Sequence, residues 1–215
     1  MTTRRRKRAK KVDWKARITI FDETAQVEIP RENEIVQKLV SLEALIHAIN
    51  GTYADTGFLP PNILTYQNGS DGIFVAMYQP PQKRRLRTPH KIYDIPMPGF
   101  IFVGIGRRYD LFAVQGNEWP SAETKLFHPP TPNVYDNAGV CSGELTFPIC
   151  GPDTITQAWR MAVEESVFTN HLIGNRCKSY PRNVLDLWEA LTQSDAETFP
   201  DDELVFANST LGEII

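Results

Sequence analysis

The sequence predicts an α+β fold built on an antiparallel sheet. Strand-like and helix-like segments are segregated along the chain rather than alternating. Four short apolar runs in the middle are punctuated by turn residues, and the two clearest helical stripes follow them. At 215 residues and 41% hydrophobic composition, the chain is long enough for one sizeable core. The expected organisation is a basic, flexible arm over residues 1–14 and a single elaborated domain over 15–215.

Residues 17–29, RITIFDETAQVEI, alternate apolar and polar around Asp22-Glu23 and read as a hairpin. Residues 41–50 place Leu42, Leu45, Ile46 and Ile49 on one stripe, predicting a helix with Ser41 as N-cap and Gly51 beyond its end. His47 on that helix is read as a boundary side chain. Strands are expected at 63–67 and 72–79, around Asn68-Gly69-Ser70-Asp71, and at 100–105 and 110–115, around Gly106-Arg107-Arg108. The basic connection QPPQKRRLRTPHK between the pairs is excluded from a central strand by its prolines. GIGRRY lacks the third glycine and the following helix of a dinucleotide-binding loop.

From Asn117 to Pro152 the periodicity vanishes, and prolines stand at 120, 129, 130, 132, 148 and 152. A long irregular stretch inside a compact domain is often functional. A helix over 154–169 follows, with Thr154 and Gln157 as a capping box and Ile155, Trp159, Ala162 and Val163 on one face. A further helix starts at Asn183, with Val184, Leu187, Trp188 and Leu191 inward. Both tryptophans are read as core. The acidic DAETFPDDEL is read as a solvated surface segment.

The net charge of −3 hides an asymmetry: residues 4–11, RRRKRAKK, hold seven of the 23 cationic residues. Such a block is a solvated tail or an arm able to grip phosphate weakly. No apolar run approaches the ~18 residues of a bilayer span, and no apolar core follows the arm as in a secretory signal. Three cysteines, Cys141, Cys150 and Cys177, make no disulfide scaffold, so free thiols and a cytoplasmic setting are expected.

The stretch able to carry chemistry is 127–143, FHPPTPNVYDNAGVCSG. Cys141 lies in a loop flanked by Gly139 and Gly143, where a thiol can act as a nucleophile. Cys150 and Cys177 are read as small buried hydrophobes. Asn133 offers a neutral donor able to stabilise an oxyanion, and serves equally well as a turn-forming residue after Pro132.

Pro132-Asn133-Val134-Tyr135 followed by Gly139-Val140-Cys141 resembles the active-site signature of ubiquitin-conjugating enzymes. That signature is His-Pro-Asn, a short turn, Gly, an apolar residue and the thioester cysteine. More closely, the chain is similar to the prokaryotic family D of these enzymes, a group that includes protein B of the PRTRC plasmid system. The similarity runs from about Leu59 to Ile214. It is carried by Leu59-Pro60-Pro61, the strand from Pro96 to Val103, Val140-Cys141-Ser142-Gly143, Ser166-Val167-Phe168-Thr169 and Thr210-Leu211-Gly212-Glu213-Ile214. Thr131 stands where the family has its chiefly structural His; His128, three residues upstream, is a candidate replacement.

The resemblance implies a ubiquitin-conjugating-enzyme-like fold: a four-strand meander flanked by helices, here with an extra N-terminal hairpin. It implies that Cys141 accepts a ubiquitin-like protein as a thioester from an activating enzyme and passes it to an amine of a target protein. Asn133 would stabilise the oxyanion or hold the loop that does. No metal or organic cofactor is required. Asp136, Glu144 and Asp153 are near enough in sequence to be the base for the amine, and nothing chooses among them. Other readings stay open: an inactive ubiquitin-fold-binding scaffold, a cysteine hydrolase using His128 or His171, and zinc held by Cys141, Cys150, His171 and Cys177. The sequence names neither modifier nor target, and a plasmid system or antiphage defence is the implied setting.

Overall fold

The computed structural model describes residues 15–31, 34–42, 45, 59–69 and 72–215. The basic arm, His47 and most of the expected helix over 41–50 lie outside these. The chain divides into two compact units, Met1–Thr56 and Gly57–Ile215.

The first unit carries a three-stranded antiparallel sheet of β1 (Arg17–Ile20), β2 (Thr24–Arg31) and β3 (Glu34–Ser41), in that order. The hairpin expected over 17–29 is present, pairing Ile18 with Val27 and Ile20 with Ala25. It is only part of a larger sheet, because β3 pairs with all of β2, from Thr24↔Ser41 to Arg31↔Glu34. The expected N-cap Ser41 is therefore the last residue of a strand, and Leu42 is the first helical residue.

The second unit is built on a six-stranded antiparallel sheet. Its strands are β4 (Ile63–Gly69), β5 (Gly72–Gln79), β8 (Gly99–Ile105), β9 (Arg108–Val114), β10 (Lys125–Phe127) and β11 (Phe206–Thr210), in the order β11-β10-β9-β8-β5-β4. The four runs expected from the sequence are strands, but they form part of this wider sheet. β10 lies inside the stretch expected to be irregular. β11, FANST, follows the acidic segment; its polar composition hid it.

The basic connection stays out of the main sheet, as its prolines require, but it is not irregular. β6 (Gln82–Arg87) and β7 (Ile92–Met97) form their own two-stranded sheet between β5 and β8. The prolines keep them out of the main sheet without preventing a hairpin beside it. Alternation on β6 turns Arg84 and Leu86 inward. The Arg84 guanidinium lies 4.9 Å from the Trp159 ring centre, and burial lowers its pKa to about 10.

Strand alternation gives the sheet two apolar faces. On one, Val75, Met77, Phe100, Phe102, Tyr109 and Leu111 pack with Trp159, Val163 and Trp188. On the other, Ala76, Tyr78, Ile101, Val103 and Val114 pack with Leu126 and Leu211. Gly104 has a packing reason: a Cβ there would sit 2.5 Å from the Tyr109 ring and 2.6 Å from Cys150 Sγ.

Helix α1 (Ile155–Trp159) continues as a π-helical turn over Arg160–Glu164 and ends short of 169. Ile155, Trp159, Ala162 and Val163 are buried as expected. The expected capping box is absent. Thr154 Oγ1 donates to the carbonyl of Ile149 at 2.7 Å and caps nothing in the helix. Helix α2 (Val184–Gln193) agrees closely with expectation: Asn183 Oδ1 accepts from Leu185 N–H, and Val184, Leu187, Trp188 and Leu191 are buried. The acidic segment is not wholly solvated, since Phe199 and Leu204 anchor it in the core.

Candidate active site

Cys141 ends a short β-hairpin. Val134 and Val140 form an antiparallel bridge. The Tyr135 N–H donates to the Gly139 carbonyl at 2.8 Å, and the Cys141 N–H donates to the Asn133 carbonyl at 2.8 Å. Asp136, Asn137 and Ala138 make the loop, closed by Ala138 N–H on the Tyr135 carbonyl at 2.9 Å, with Ala138 at φ 67°. A three-residue loop ending in a left-handed residue is a common hairpin form. It accounts for the spacing of Asn133 and Cys141: a loop of this length between two short strands puts the two ends opposite each other.

The hairpin extends the sheet. Val140 N–H donates to the Tyr109 carbonyl at 2.8 Å, and Leu111 N–H donates to the Ala138 carbonyl at 2.9 Å. Asp110 pairs with Gly139 between them. β10 meets β9 only at Ala113, so the hairpin occupies the part of β9 that β10 leaves free. Alternation sends Val134 and Val140 against the core and puts Asn133, Tyr135, Gly139 and Cys141 on the other face.

Cys141 is half-buried. Tyr135 Oη donates to its Sγ at 3.6 Å. That hydrogen bond raises the Tyr135 phenol above its ordinary value. Gly139 leaves the space between them open, since a Cβ there would sit 3.8 Å from the Tyr135 ring and 3.1 Å from Asn137 Oδ1. Among the described residues, no histidine hydrogen-bonds this sulfur.

Asn133 sits at φ 62°, a left-handed conformation that asparagine tolerates better than most residues. Its N–H donates to the His171 carbonyl at 3.1 Å. Its side-chain Oδ1 accepts from Thr169 Oγ1 at 3.2 Å, and Nδ2 makes no hydrogen bond among the described residues. The turn-forming role suggested by Pro132-Asn133 is thus real, and the amide donors remain available.

Arg176 fixes the loop from behind. It is 1% exposed, and its guanidinium donates to the carbonyls of Val134 and Leu172 and to Asp136 Oδ1 at 3.0 Å. Burial lowers its pKa, opposed by Asp136. Trp188 Nε1 donates to the Pro130 carbonyl at 2.9 Å, holding the approach to the hairpin. His128 lies against the arginine that pins the loop. Its Nδ1 lies 3.5 Å from Arg176 Nη1, and burial with that neighbouring cation lowers its pKa. Thr131 is fully buried, and its Oγ1 has no hydrogen-bond partner.

Sequence reasoning missed Arg176, which lies 42 positions from Val134 and 40 from Asp136, and the contact of Thr169 with Asn133, 36 positions apart. Tyr135 was visible in the motif, but not its contact with the sulfur. Of the acidic groups named from sequence, Asp136 is committed to Arg176, while Glu144 and Asp153 are exposed. Cys150 and Cys177 are buried, and desolvation pushes each thiol up to about 11. No group of three or more His, Cys, Asp or Glu among the described residues is arranged to hold a metal ion. No helix among them is long and apolar enough to cross a membrane.

No curated protein and no solved structure matches this chain. The family model for prokaryotic E2 family D matches residues 37–207, from within β3 to within β11. That span contains the whole hairpin, both α-helices and the arginine that pins the loop, and the chain belongs to prokaryotic E2 family D.

Proposed function

We propose that the protein accepts a ubiquitin-like modifier as a thioester on Cys141 and transfers it to an amine of a target protein. One observation carries this reading: Cys141 is half-buried at the end of a hydrogen-bonded hairpin, with Asn133 opposite and a Tyr135 hydroxyl on its sulfur. The thiolate attacks the thioester carbonyl of an activating enzyme, and the modifier changes sulfur. An amine then attacks that carbonyl. Asn133 supports the reading through Nδ2, which can donate to the oxyanion of the tetrahedral intermediate while Thr169 holds the other end of its amide. ATP is consumed by the activating enzyme. The setting we propose is the cytoplasm of a bacterium, in a plasmid-borne conjugation system such as the one that includes PRTRC protein B, or in antiphage defence.

The test is incubation with an activating enzyme, a ubiquitin-like modifier that it charges, and ATP. A thiol-sensitive adduct that Cys141→Ala abolishes, and that Cys150→Ala and Cys177→Ala leave in place, supports transfer. No adduct with a verified pair leaves the alternative, a scaffold that binds the modifier without chemistry.

A further inference from the structure

Within the function just proposed, the group that takes the proton from the attacking amine has no assigned residue. Of the acids near Cys141 in sequence, Asp136 is paired with Arg176, and Glu144 and Asp153 are exposed. The sheet brings another carboxylate to this face. Asp110 on β9 pairs with Gly139 as an antiparallel bridge. The flanking hydrogen bonds run through Tyr109–Val140 and Leu111–Ala138, which makes Asp110–Gly139 the close, non-hydrogen-bonded type of pair. Because Gly139 has no side chain, the carboxylate leans over it: Asp110 Oδ1 lies 3.7 Å from the position a Cβ would take. Cys141 is the next residue of this hairpin strand on the same face, about 7 Å further along. Asp110 and Cys141 thus lie on one face, about one strand repeat apart along the hairpin.

We propose that Asp110 is the catalytic base of the transfer step, taking a proton from the incoming primary ammonium so that the free amine attacks the acyl group on Cys141. The amine nitrogen forms a bond to the carbonyl carbon, and the second N–H proton of the adduct passes to solvent. The tetrahedral intermediate collapses, the C–S bond breaks, and Cys141 leaves as a thiolate. Asp110 then returns the proton to solvent or sulfur.

The surroundings suit this role. Asp110 is half-buried, and desolvation raises its pKa, making it a stronger base than a surface aspartate, while Arg108 opposes the shift. By strand alternation Tyr135 and Cys141 lie on the same face of the hairpin as Gly139, and the partner of Asp110 across the sheet on β8, Val103, is apolar. Sequence could not find Asp110, because it precedes the motif by more than twenty residues and reads as an ordinary polar position on a strand.

The test needs no cognate partner. Cys141 is loaded by exchange with a small thioester of a Gly-Gly peptide, and its discharge to free lysine or hydroxylamine is followed across pH. Asp110→Asn should load at the wild-type rate and discharge to lysine about 100-fold more slowly at neutral pH. The gap should narrow as rising pH supplies unprotonated lysine. Hydroxylamine is already unprotonated at neutral pH and should be nearly unaffected. Lysine discharge at the wild-type rate, a gap that does not change with pH, or an equal loss with both amines overturns the role of Asp110. Wild-type protein whose Cys141 takes no acyl group, or whose thioester lysine does not discharge, overturns the transfer function itself.

Discussion

Asn133 and Cys141 are joined by the main chain. The Cys141 N–H donates to the Asn133 carbonyl at 2.8 Å, while Asn133 holds a left-handed φ of 62°. The asparagine thus has a backbone duty and a free amide, and substitution separates them. Asn133→Gly keeps the conformation and removes the side chain, so it should leave stability within about 1 kcal/mol. Asn133→Ala adds left-handed strain of about 1–2 kcal/mol. Both should slow aminolysis of the Cys141 thioester by about 100-fold or more if the amide serves the oxyanion. Denaturant melts beside single-turnover discharge read the two effects, and a Gly variant with full transfer activity would leave Asn133 only its structural role.

Tyr135 gives the Cys141 sulfur one hydrogen-bond donor. Tyr135→Phe should slow alkylation of Cys141 by iodoacetamide at neutral pH about fivefold, the value of one modest hydrogen bond. An unchanged rate would show that the phenol does nothing for the reactivity of the sulfur.

Thr131 is fully buried and its hydroxyl has no hydrogen-bond partner. Thr131→Val removes the orphan group at nearly constant volume and should raise stability by about 1 kcal/mol. Thr131→His overfills the site and should cost about 1–3 kcal/mol. Thermal melts of the two variants should move in opposite directions.

Arg176→Met keeps much of the buried stem but strands the Val134 carbonyl. A loss of about 2–4 kcal/mol is expected in urea unfolding. Thiol reactivity should also change, since the arginine holds the hairpin strand opposite Cys141.

His128 gives the fold a pH dependence. Burial and Arg176 depress its pKa below the ordinary 6.5, so the unfolded chain binds the proton more readily. Its contribution is intact above about pH 6.5 and is lost as pH falls from there through the folded-state value. His128→Gln should flatten this part of the stability profile, measured by urea unfolding between about pH 7.5 and 5.

Much of this molecule was legible where periodicity is strong. Ile18–Val27 pairing, the central strands and the stripe of Val184, Leu187, Trp188 and Leu191 all follow from it. β6–β7 was left unassigned, because prolines that exclude a central strand do not say whether a separate hairpin forms. β11 was hidden because its pairing with β10 needs little apolar character. At the site, Cys141 and Asn133 stood out because a hairpin of fixed loop length leaves a local signature. Arg176, Thr169 and Asp110 leave none, because tertiary contact alone brings them there.

The hairpin is a part of the sheet, not a loop draped over it, and that governs how its reactive end moves. Val140 and Cys141 each give their amide proton to a neighbouring strand. Those protons should exchange with deuterium on the slow timescale of the domain interior, not the fast one of a surface turn. A partner arriving at Cys141 therefore meets a docking point already set, and any rearrangement that follows falls to the partner's own flexible end.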